Sequence, residues 1–322
     1  MSDAQSLWAV GSGRCELRTE ALRAVGAHDV LVETAYSAVS KGTERLVLEG
    51  RVPASQFAAM AGPHMGGAFP FPVKYGYCVT GRVVAGALPV GTAVFCLHPH
   101  QDRFVVESSA VVPHDVPLER AVLAANVETA LNAVWDSGAG PGDRAVVVGG
   151  GVVGCLVAWI LGRLPGSEVV LVDVLPERAA VAEALGVGFA LPDAAPVDAD
   201  VVVHASATEA GARGALAAAG VEATVVELSW FGDRSVALPL GEAFHSRRLT
   251  LRSSQVGQIP PSRRPRWSYR RRLCKALELC ADPILDVLFT SACAFEDLPL
   301  HLPQVVTGSG LCHRVHYGSS IS

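Results

Sequence analysis

The rhythm of hydrophobic and polar positions changes near residue 118 of this 322-residue chain. Before that point, short runs of apolar and polar residues in alternation are separated by turn residues: DVLVETAYSAV, GRVVAGAL, GTAVFCLH and RFVVESSAVVP. Such runs at this spacing are typical of strands with one buried face. The first third of the chain is therefore predicted to form a mostly antiparallel β domain.

After residue 118 the pattern alternates between helical and fully apolar strand segments. A helix is predicted in LERAVLAANVETALNAVWDSG, and the strands RAVVVGG, EVVLVDV, ADVVVHAS and ATVVELSW are then separated by further helical runs. Apolar strands joined by helices indicate a parallel sheet covered on both faces. A helix is also predicted in WSYRRRLCKALELCA and a strand in HRVHY. The predicted organisation is α/β, with a β domain at 1–126 and 258–322 and a doubly wound domain at 127–257.

Composition narrows the class of protein. Half of the residues are hydrophobic and 18% are charged, which is typical of a globular chain. A net charge of -5 gives no global reason to bind nucleic acid or an anionic membrane. No apolar run approaches the roughly 20 residues that span a bilayer, and the first residues do not form a signal peptide. A protein of the cytoplasm with scattered, reduced cysteines is expected.

A glycine-rich turn follows the first strand of the doubly wound domain. Gly149, Gly151 and Gly154 form G-x-G-x-x-G between a strand and a helix, which predicts a dinucleotide site at the helix N-terminus. Asp173 ends the next strand, where a carboxylate accepts hydrogen bonds from ribose hydroxyls and repels a 2′-phosphate. NAD is therefore predicted as the cofactor, although Arg178 lies close enough to offset part of that repulsion.

Four further residues are candidate cofactor contacts. His204 ends a strand at the carboxyl edge of the sheet, where ligands bind in such domains, and a capping role is its alternative. The remaining candidates are Val152 and Val153 in the glycine-rich turn and Thr129 in the preceding helix.

The order of these domains, together with VPHDVPLERAVLAANVETALNAVWDSGAGPGDRAVVVGGGVVG, resembles the medium-chain dehydrogenase/reductase superfamily, which includes the zinc alcohol dehydrogenases. SKGTERLVLEGRVP and VKYGYCVTGRV are most similar to its branch containing bacteriochlorophyllide a dehydrogenase. The resemblance implies a GroES-like β catalytic domain, a Rossmann domain and a nicotinamide cofactor. It also implies a homodimer joined through a sheet edge, for which ATVVELSW is the candidate.

The zinc-binding pattern of that family is absent. The positions that match its three catalytic zinc ligands hold Ser40, Tyr77 and Ala125, and the lobe of four cysteines is missing. Because zinc in an enzyme needs about three protein ligands, no metal is expected. Glu44 matches the acid that steadies the ligand histidine in relatives, so a hydrogen bond between Glu44 and Tyr77 is predicted.

Without zinc, a side chain must move the proton. The catalytic candidates are Tyr77, Ser40, Glu44, His98 and His100, with Lys41 and Thr43 as further possibilities. Each has a structural alternative: the tyrosine as a packed residue with a satisfied hydroxyl, and the histidines as pocket lining. A new metal site built from Cys96, His98 and His100 on one strand face, with Cys78, is a further alternative.

The predicted function is a zinc-independent, NAD(H)-dependent oxidoreductase that interconverts an alcohol and a carbonyl on a small molecule. Two alternatives stay open: reduction of an activated C=C bond, and binding of the dinucleotide without turnover. The basic run SRRPRWSYRRRLCK is interpreted as a solvated helix face, with an anion clamp as its alternative.

Overall fold

A computed structural model of the chain describes residues 3–318. The chain divides into two compact units, Met1–Ala125 with Leu277–Ser322, and Asn126–Ala276. Below, these are called the β unit and the nucleotide unit. The chain returns to the β unit at residue 277, within the helix Tyr269–Leu279, whereas the predicted boundary was at 258.

Over the part of the chain that the structure describes, the β unit contains two sheets. Its strands are β1 (Asp3–Gly11), β2 (Arg14–Ala21), β3 (Asp29–Val39), β4 (Gly66–Gly67), β5 (Val73–Lys74), β6 (Val79–Gly86), β7 (Ala93–Cys96), β8 (Arg103–Glu107), β9 (Val111–Pro113), β16 (Phe289–Ala294) and β17 (Cys312–His316). One sheet has the order β2-β1-β5-β4, and the other has β16-β17-β3-β6-β7-β9 with β8 also paired to β3. All pairs except β16 with β17 are antiparallel. The predicted antiparallel class is confirmed.

Alternation along β3 explains why it lies at the centre of the larger sheet. Val30 and Val32 face a fully buried core that also contains Val83 and Phe104. Among its described residues this unit also contains three complete α-helices, α1 (Lys41–Leu48), α2 (Leu118–Ala121) and α9 (Leu298–Thr307). The predicted single helix after residue 118 is two helices, α2 and α3 (Ala124–Ser137).

The nucleotide unit is a doubly wound domain, as predicted. Its strands are β10 (Arg144–Val148), β11 (Glu168–Val172), β12 (Gly188–Ala190), β13 (Ala199–His204), β14 (Ala219–Glu227) and β15 (Thr250–Ser253), and its further helices are α4 (Val152–Leu161), α5 (Arg178–Leu185), α6 (Glu209–Ala218), α7 (Ala243–Ser246) and α8 (Tyr269–Leu279). Every neighbouring pair in the order β12-β11-β10-β13-β14-β15 is parallel. The order reverses between β10 and β13, which is where such sheets bind ligands.

The sheet edge was predicted at the wrong strand. The segment ATVVELSW contributes to β14, which has β13 on one side and β15 on the other. The edge strand is β15, whose four residues are all exposed. A short polar segment after α7 therefore covers the apolar strand that the sequence pattern had placed at the edge.

The basic run proves to have two kinds of arginine. Arg270 and Arg271 on α8 are exposed, which agrees with a solvated face. Arg272 is buried instead, and its guanidinium donates to Glu128 at 2.9 Å, to Asn132 and to a backbone carbonyl. One arginine of the run thus joins α8 to α3 within the nucleotide unit.

Within residues 3–318, no helix combines the length and the apolar character that crossing a membrane requires. All eight cysteines lie in this range as free thiols. Five of the buried ones belong to the β unit: Cys78, Cys96, Cys280, Cys293 and Cys312.

Candidate functional site

The glycine-rich turn between β10 and α4 has the geometry that its motif predicts. Gly149 has φ of 112°, and a Cβ there would lie 2.6 Å from the amide nitrogen of Ser206. A Cβ at Gly154 would lie 1.8 Å from the carbonyl oxygen of Gly149, whereas a Cβ at Gly151 would meet nothing within 4 Å. Two glycines therefore allow close backbone packing, and the third leaves open space for a phosphate at the start of the helix.

Asp173 lies directly after β11 and faces this turn. One carboxylate oxygen accepts from the amide of Gly150 at 2.5 Å, and the other accepts from the amide of Leu175 at 2.9 Å. Each oxygen retains a second lone pair. The carboxylate is thus fixed beside the glycine-rich turn and can still accept a hydrogen bond from a ribose hydroxyl.

The structure brings some of the other cofactor candidates to the same place. Val152 and Val153 form the first turn of α4 and are half-buried. Arg178 begins α5, and its aliphatic stem lies against Gly150, with Cγ 3.2 Å from where a Cβ would be. Thr129 is half-buried on α3. A nicotinamide dinucleotide fits this arrangement, since the turn offers a phosphate cradle and Asp173 an acceptor for ribose.

His204 at the end of β13 is fully buried, and both of its ring nitrogens have protein partners. Nδ1 lies 2.7 Å from a carboxylate oxygen of Glu227, and Nε2 lies 2.7 Å from the hydroxyl of Ser206. A direct hydrogen bond from His204 to a cofactor would have to displace one of these groups. Sequence reasoning missed both partners, although Ser206 stands only two residues along the chain.

In the β unit, Tyr77 and Ser40 form a pair. The Tyr77 hydroxyl donates to the Ser40 hydroxyl at 2.7 Å, and Tyr77 is half-buried while Ser40 is buried. Burial raises the pKa of the Tyr77 hydroxyl well above its usual value. The phenol is therefore protonated at neutral pH and acts as a hydrogen-bond donor.

Glu44 and His100 form a second, deeper pair. A Glu44 carboxylate oxygen lies 3.0 Å from His100 Nε2, and the other oxygen accepts from the backbone amide of Ser40 at 2.7 Å. The predicted hydrogen bond between Glu44 and Tyr77 was wrong. Ser40 stands between them, because its hydroxyl contacts the tyrosine and its amide contacts the carboxylate.

The histidine extends this network to two residues that sequence reasoning missed. His100 Nδ1 lies 2.7 Å from the Ser37 hydroxyl, and that hydroxyl lies 2.9 Å from the phenol of Tyr317. Ser37 is fully buried on β3, although the alternation that puts Val30 and Val32 on the apolar face places Ser37 on the opposite face. The sequence pattern therefore gave no signal for Ser37, and nothing local pointed to Tyr317.

His98 does not join this network. Strand β7 ends at Cys96, so His98 and His100 are not on one strand face as predicted. The His98 ring stacks on Phe104 with centroids 3.9 Å apart, and its Nδ1 lies 2.9 Å from the carbonyl oxygen of Pro99. Burial lowers the pKa of His98 to about 3, so its imidazole is neutral at pH 7. Its structural interpretation is favoured over a proton-transfer role.

The side chains present do not fit a zinc ion. Ser40, Tyr77 and Ala125 occupy the positions that match the ligands of the zinc enzymes, and Tyr77 and Ser40 bond to each other. Cys96, proposed above as part of an alternative site, points its thiol to the carbonyl oxygen of Ala110 at 3.6 Å. Within residues 3–318, no three His, Cys, Asp or Glu side chains are grouped as a metal site would require.

No family model matches the sequence. Solved structures do match over nearly the whole chain. L-idonate 5-dehydrogenase from Escherichia coli K-12 has a TM-score of 0.81 at 15% identity and covers 98% of both chains. An alcohol dehydrogenase from E. coli CFT073, crystallised with NADH, has a TM-score of 0.77 at 13% identity, over 98% of this chain and 100% of the other.

A third structure, described as a zinc-binding dehydrogenase of Sinorhizobium meliloti 1021 and bound to NADP, has a TM-score of 0.79 at 17% identity. It covers 98% of this chain, and all of its own chain is matched. At these identities the likeness concerns the fold. The chain has the fold of these dehydrogenases, a GroES-like β unit combined with a Rossmann unit.

Proposed function

We propose that this protein is an NAD(H)-dependent oxidoreductase that interconverts an alcohol and a carbonyl on a small or medium organic molecule, with side chains moving the proton in place of zinc. The neighbours in fold are dehydrogenases, two of them crystallised with NADP or NADH. The observation that carries the proposal is the bonded pair of Tyr77 and Ser40, at positions that match zinc ligands in the resembling family.

In this proposal the nucleotide unit holds the dinucleotide. The amides at the start of α4 would bind the pyrophosphate, and Asp173 would accept from the adenosine ribose. A bound nicotinamide ring supplies or accepts the hydride. Asp173 favours NAD(H), because a 2′-phosphate beside its carboxylate would meet like charge.

Tyr77 would supply the proton in the direction of carbonyl reduction. An alkoxide is a far stronger base than a phenolate, so it takes a proton even from a phenol whose pKa burial has raised. Ser40 accepts the phenolic hydrogen bond in the resting protein and so fixes the direction of the hydroxyl. In alcohol oxidation the same groups would remove the proton in reverse.

Glu44 and His100 would act as positioning residues. Both are almost completely buried, with 5% and 1% of their surface exposed, so neither can touch a substrate without rearrangement. Glu44 holds the amide of Ser40 at 2.7 Å, and His100 holds Glu44 from the other side. The pair therefore sets where the Ser40 hydroxyl stands, and through it where Tyr77 points.

The assembly and location belong to the same proposal. A homodimer of the cytoplasm, with no nucleic acid or membrane as partner, is expected. The exposed edge strand β15 presents backbone groups on which a second copy could add its own edge. Sedimentation equilibrium should give twice 33.6 kDa, and the mass of one chain would contradict the dimer.

The likeness to bacteriochlorophyllide a dehydrogenase stays a prediction and does not specify the substrate.

The decisive experiment compares Tyr77→Phe with Tyr75→Phe. Both tyrosines are half-buried, but the Tyr75 hydroxyl donates to the carbonyl of Met60 and not to Ser40. A panel of ketones and aldehydes is first screened by NADH oxidation. On any substrate that is turned over, Tyr77→Phe should lower kcat by about 100-fold or more, while Tyr75→Phe stays within a few-fold of wild type.

Two results would contradict the proposal. Unchanged kcat in Tyr77→Phe would remove the tyrosine from proton transfer. Activity that depends on about one transition-metal ion per chain, measured by elemental analysis and lost on chelation, would return the reaction to Lewis-acid chemistry. Retention of NADH binding without turnover of any substrate would instead favour the non-catalytic alternative.

A further inference from the structure

A second hydrogen-bonded constellation lies at the carboxyl edge of the nucleotide unit, and the proposed dehydrogenase reaction does not use it. It consists of Ser206, His204 and Glu227. The Ser206 hydroxyl lies 2.7 Å from His204 Nε2, and a Glu227 carboxylate oxygen lies 2.7 Å from His204 Nδ1. This is the connectivity of a serine nucleophile, a histidine base and a carboxylate that orients it.

The base is held firmly in its position. His204 is fully buried, at the end of the central strand β13. The second oxygen of Glu227 accepts from the backbone amide of Ser229 at 2.8 Å, which fixes the carboxylate relative to the ring. With Glu227 on Nδ1, the neutral imidazole carries its proton on that nitrogen, and Nε2 is left as an acceptor for the Ser206 hydroxyl.

Ser206 itself differs in exposure from its base. It is partly exposed, in the loop that joins β13 to α6, and the residue after it, Ala207, has φ of 52°. The loop reaches this position because Gly211 has no side chain. A Cβ at Gly211 would lie 2.1 Å from the Ser206 hydroxyl and 2.8 Å from His204 Nε2.

A second hydroxyl stands beside that of Ser206, and the start of helix α6 follows it in the chain. Thr208 caps α6, and its hydroxyl lies 2.9 Å from that of Ser206 and accepts from the amide of Gly211. In the first turn of a helix, the earliest amides have no carbonyl acceptor within the helix. Those of Glu209 and Ala210, three and four residues after Ser206, are therefore the candidate donors to an oxyanion, aided by the helix dipole.

From this geometry we infer that Ser206 is an activated nucleophile and that the nucleotide unit carries an acyl-transfer centre for activated esters. The Ser206 oxygen attacks the ester carbonyl carbon while its proton passes to His204 Nε2. The tetrahedral intermediate collapses, the bond to the alcohol oxygen breaks, and the leaving alcohol takes the proton from Nε2. Water, deprotonated by the same nitrogen, then attacks the acyl-serine and releases the carboxylic acid.

The test uses the full chain without any added cofactor, so its result does not depend on the dehydrogenase proposal. The probes are a fluorophosphonate, which a serine oxygen attacks at phosphorus with loss of fluoride, and p-nitrophenyl acetate. Wild type, Ser206→Ala, Glu227→Gln and Ser109→Ala are compared. Ser109 is the control serine, because it is exposed and its hydroxyl donates to a carboxylate, that of Glu107, at 3.4 Å.

The expected result is one phosphonyl group per chain on the peptide that contains Ser206. Labelling and ester hydrolysis should be lost in Ser206→Ala and retained in Ser109→Ala. Glu227→Gln should react about 100-fold more slowly, since a misdirected imidazole loses its function as a general base. A thermal unfolding midpoint for each variant shows that it is folded.

Three results would overturn the inference. The first is no labelling of folded wild type. The second is labelling that maps to a serine other than Ser206. The third is a rate in folded Glu227→Gln equal to that of wild type, which would mean that the Ser206 hydroxyl reacts without the help of its histidine.

Discussion

Replacement of His98 by phenylalanine should make the β unit resist acid better than the wild type. His98 is buried against Phe104, and burial lowers its pKa to about 3, compared with 6.5 for the free side chain. The folded protein therefore excludes a proton that the unfolded chain binds below pH 6.5. This exclusion has no effect on stability above pH 6.5, and it lowers the stability of the folded protein progressively as the pH falls toward 3.

The magnitude follows from the difference between those two pKa values. Over the whole interval between the two pKa values, the free energy of unfolding would fall by roughly 5 kcal/mol, at about 1.4 kcal/mol per pH unit. The phenylalanine of the variant cannot bind a proton in either state, and its ring can still stack on Phe104. At neutral pH the variant loses only the contact between Nδ1 and the Pro99 carbonyl, which is worth about 1 kcal/mol.

Urea unfolding between neutral pH and about pH 4.5 measures this difference. Relative to wild type, the free energy of unfolding of His98→Phe should rise by about 2 to 3 kcal/mol over that interval. The reason is that the interval extends about two pH units below 6.5, the pKa of the unfolded state. His313, whose pKa burial lowers to about 4, titrates in both proteins and cancels in the comparison. The exposed His316, replaced in the same way, controls for the loss of one imidazole.

A parallel dependence on pH in wild type and His98→Phe would refute the reasoning, because it would mean that His98 titrates alike in the folded and unfolded states. The same variant separates the two interpretations of this residue. If turnover near pH 7 is unchanged in His98→Phe, the residue is a core histidine. A large fall in kcat with normal stability would restore it as a catalytic candidate.

Three changes in the nucleotide unit carry further predictions. Gly154→Ala should lower the free energy of unfolding by about 1 to 3 kcal/mol, measured by chemical denaturation, and should weaken NADH binding, measured by fluorescence titration. Gly151→Ala is the control and should fold normally, because a Cβ there has open space. Asp173→Asn should raise the Kd of NADH about tenfold and that of NADPH less, and equal loss for both would contradict its role in selectivity. Arg272→Met should lower the free energy of unfolding by about 3 to 5 kcal/mol, because the Glu128 carboxylate is left buried and unpaired. Adding Glu128→Gln should restore part of the lost stability.

The nucleotide unit could be predicted well because its signals are local. Strands β10, β11 and β13 are uninterrupted apolar runs, and the glycine pattern lies within six residues of the first. Only the short strands β12 and β15 were missed, since neither carries an apolar run. The β unit gave weaker signals, and the hairpin of β1 and β2 was not recognised because exposed charged residues dominate its second strand.

The candidate site of the β unit could be predicted only residue by residue. Glu44, Ser40 and Tyr77 were identified from their positions relative to a known motif, but their pairing was not. Ser37 and Tyr317 are 280 residues apart in the chain and meet only because β17 pairs with β3. Which hydroxyl contacts which carboxylate depends on sheet register and on the loop after β7, and neither is encoded within a short window.

Hydrogen-bond partners, and not burial, distinguish the two neighbouring histidines. His98 stacks on an aromatic ring and contacts one carbonyl, so its neutral form is favoured and its contacts are those of a core residue. His100 is just as buried, but it lies between a carboxylate and a hydroxyl. A site that had merely lost its zinc ligands would leave such polar groups unpaired, at a cost of about 1 to 3 kcal/mol each. Here Tyr77, Ser40, Glu44 and His100, together with Ser37, satisfy one another, which is the arrangement that the proposed role of this site requires.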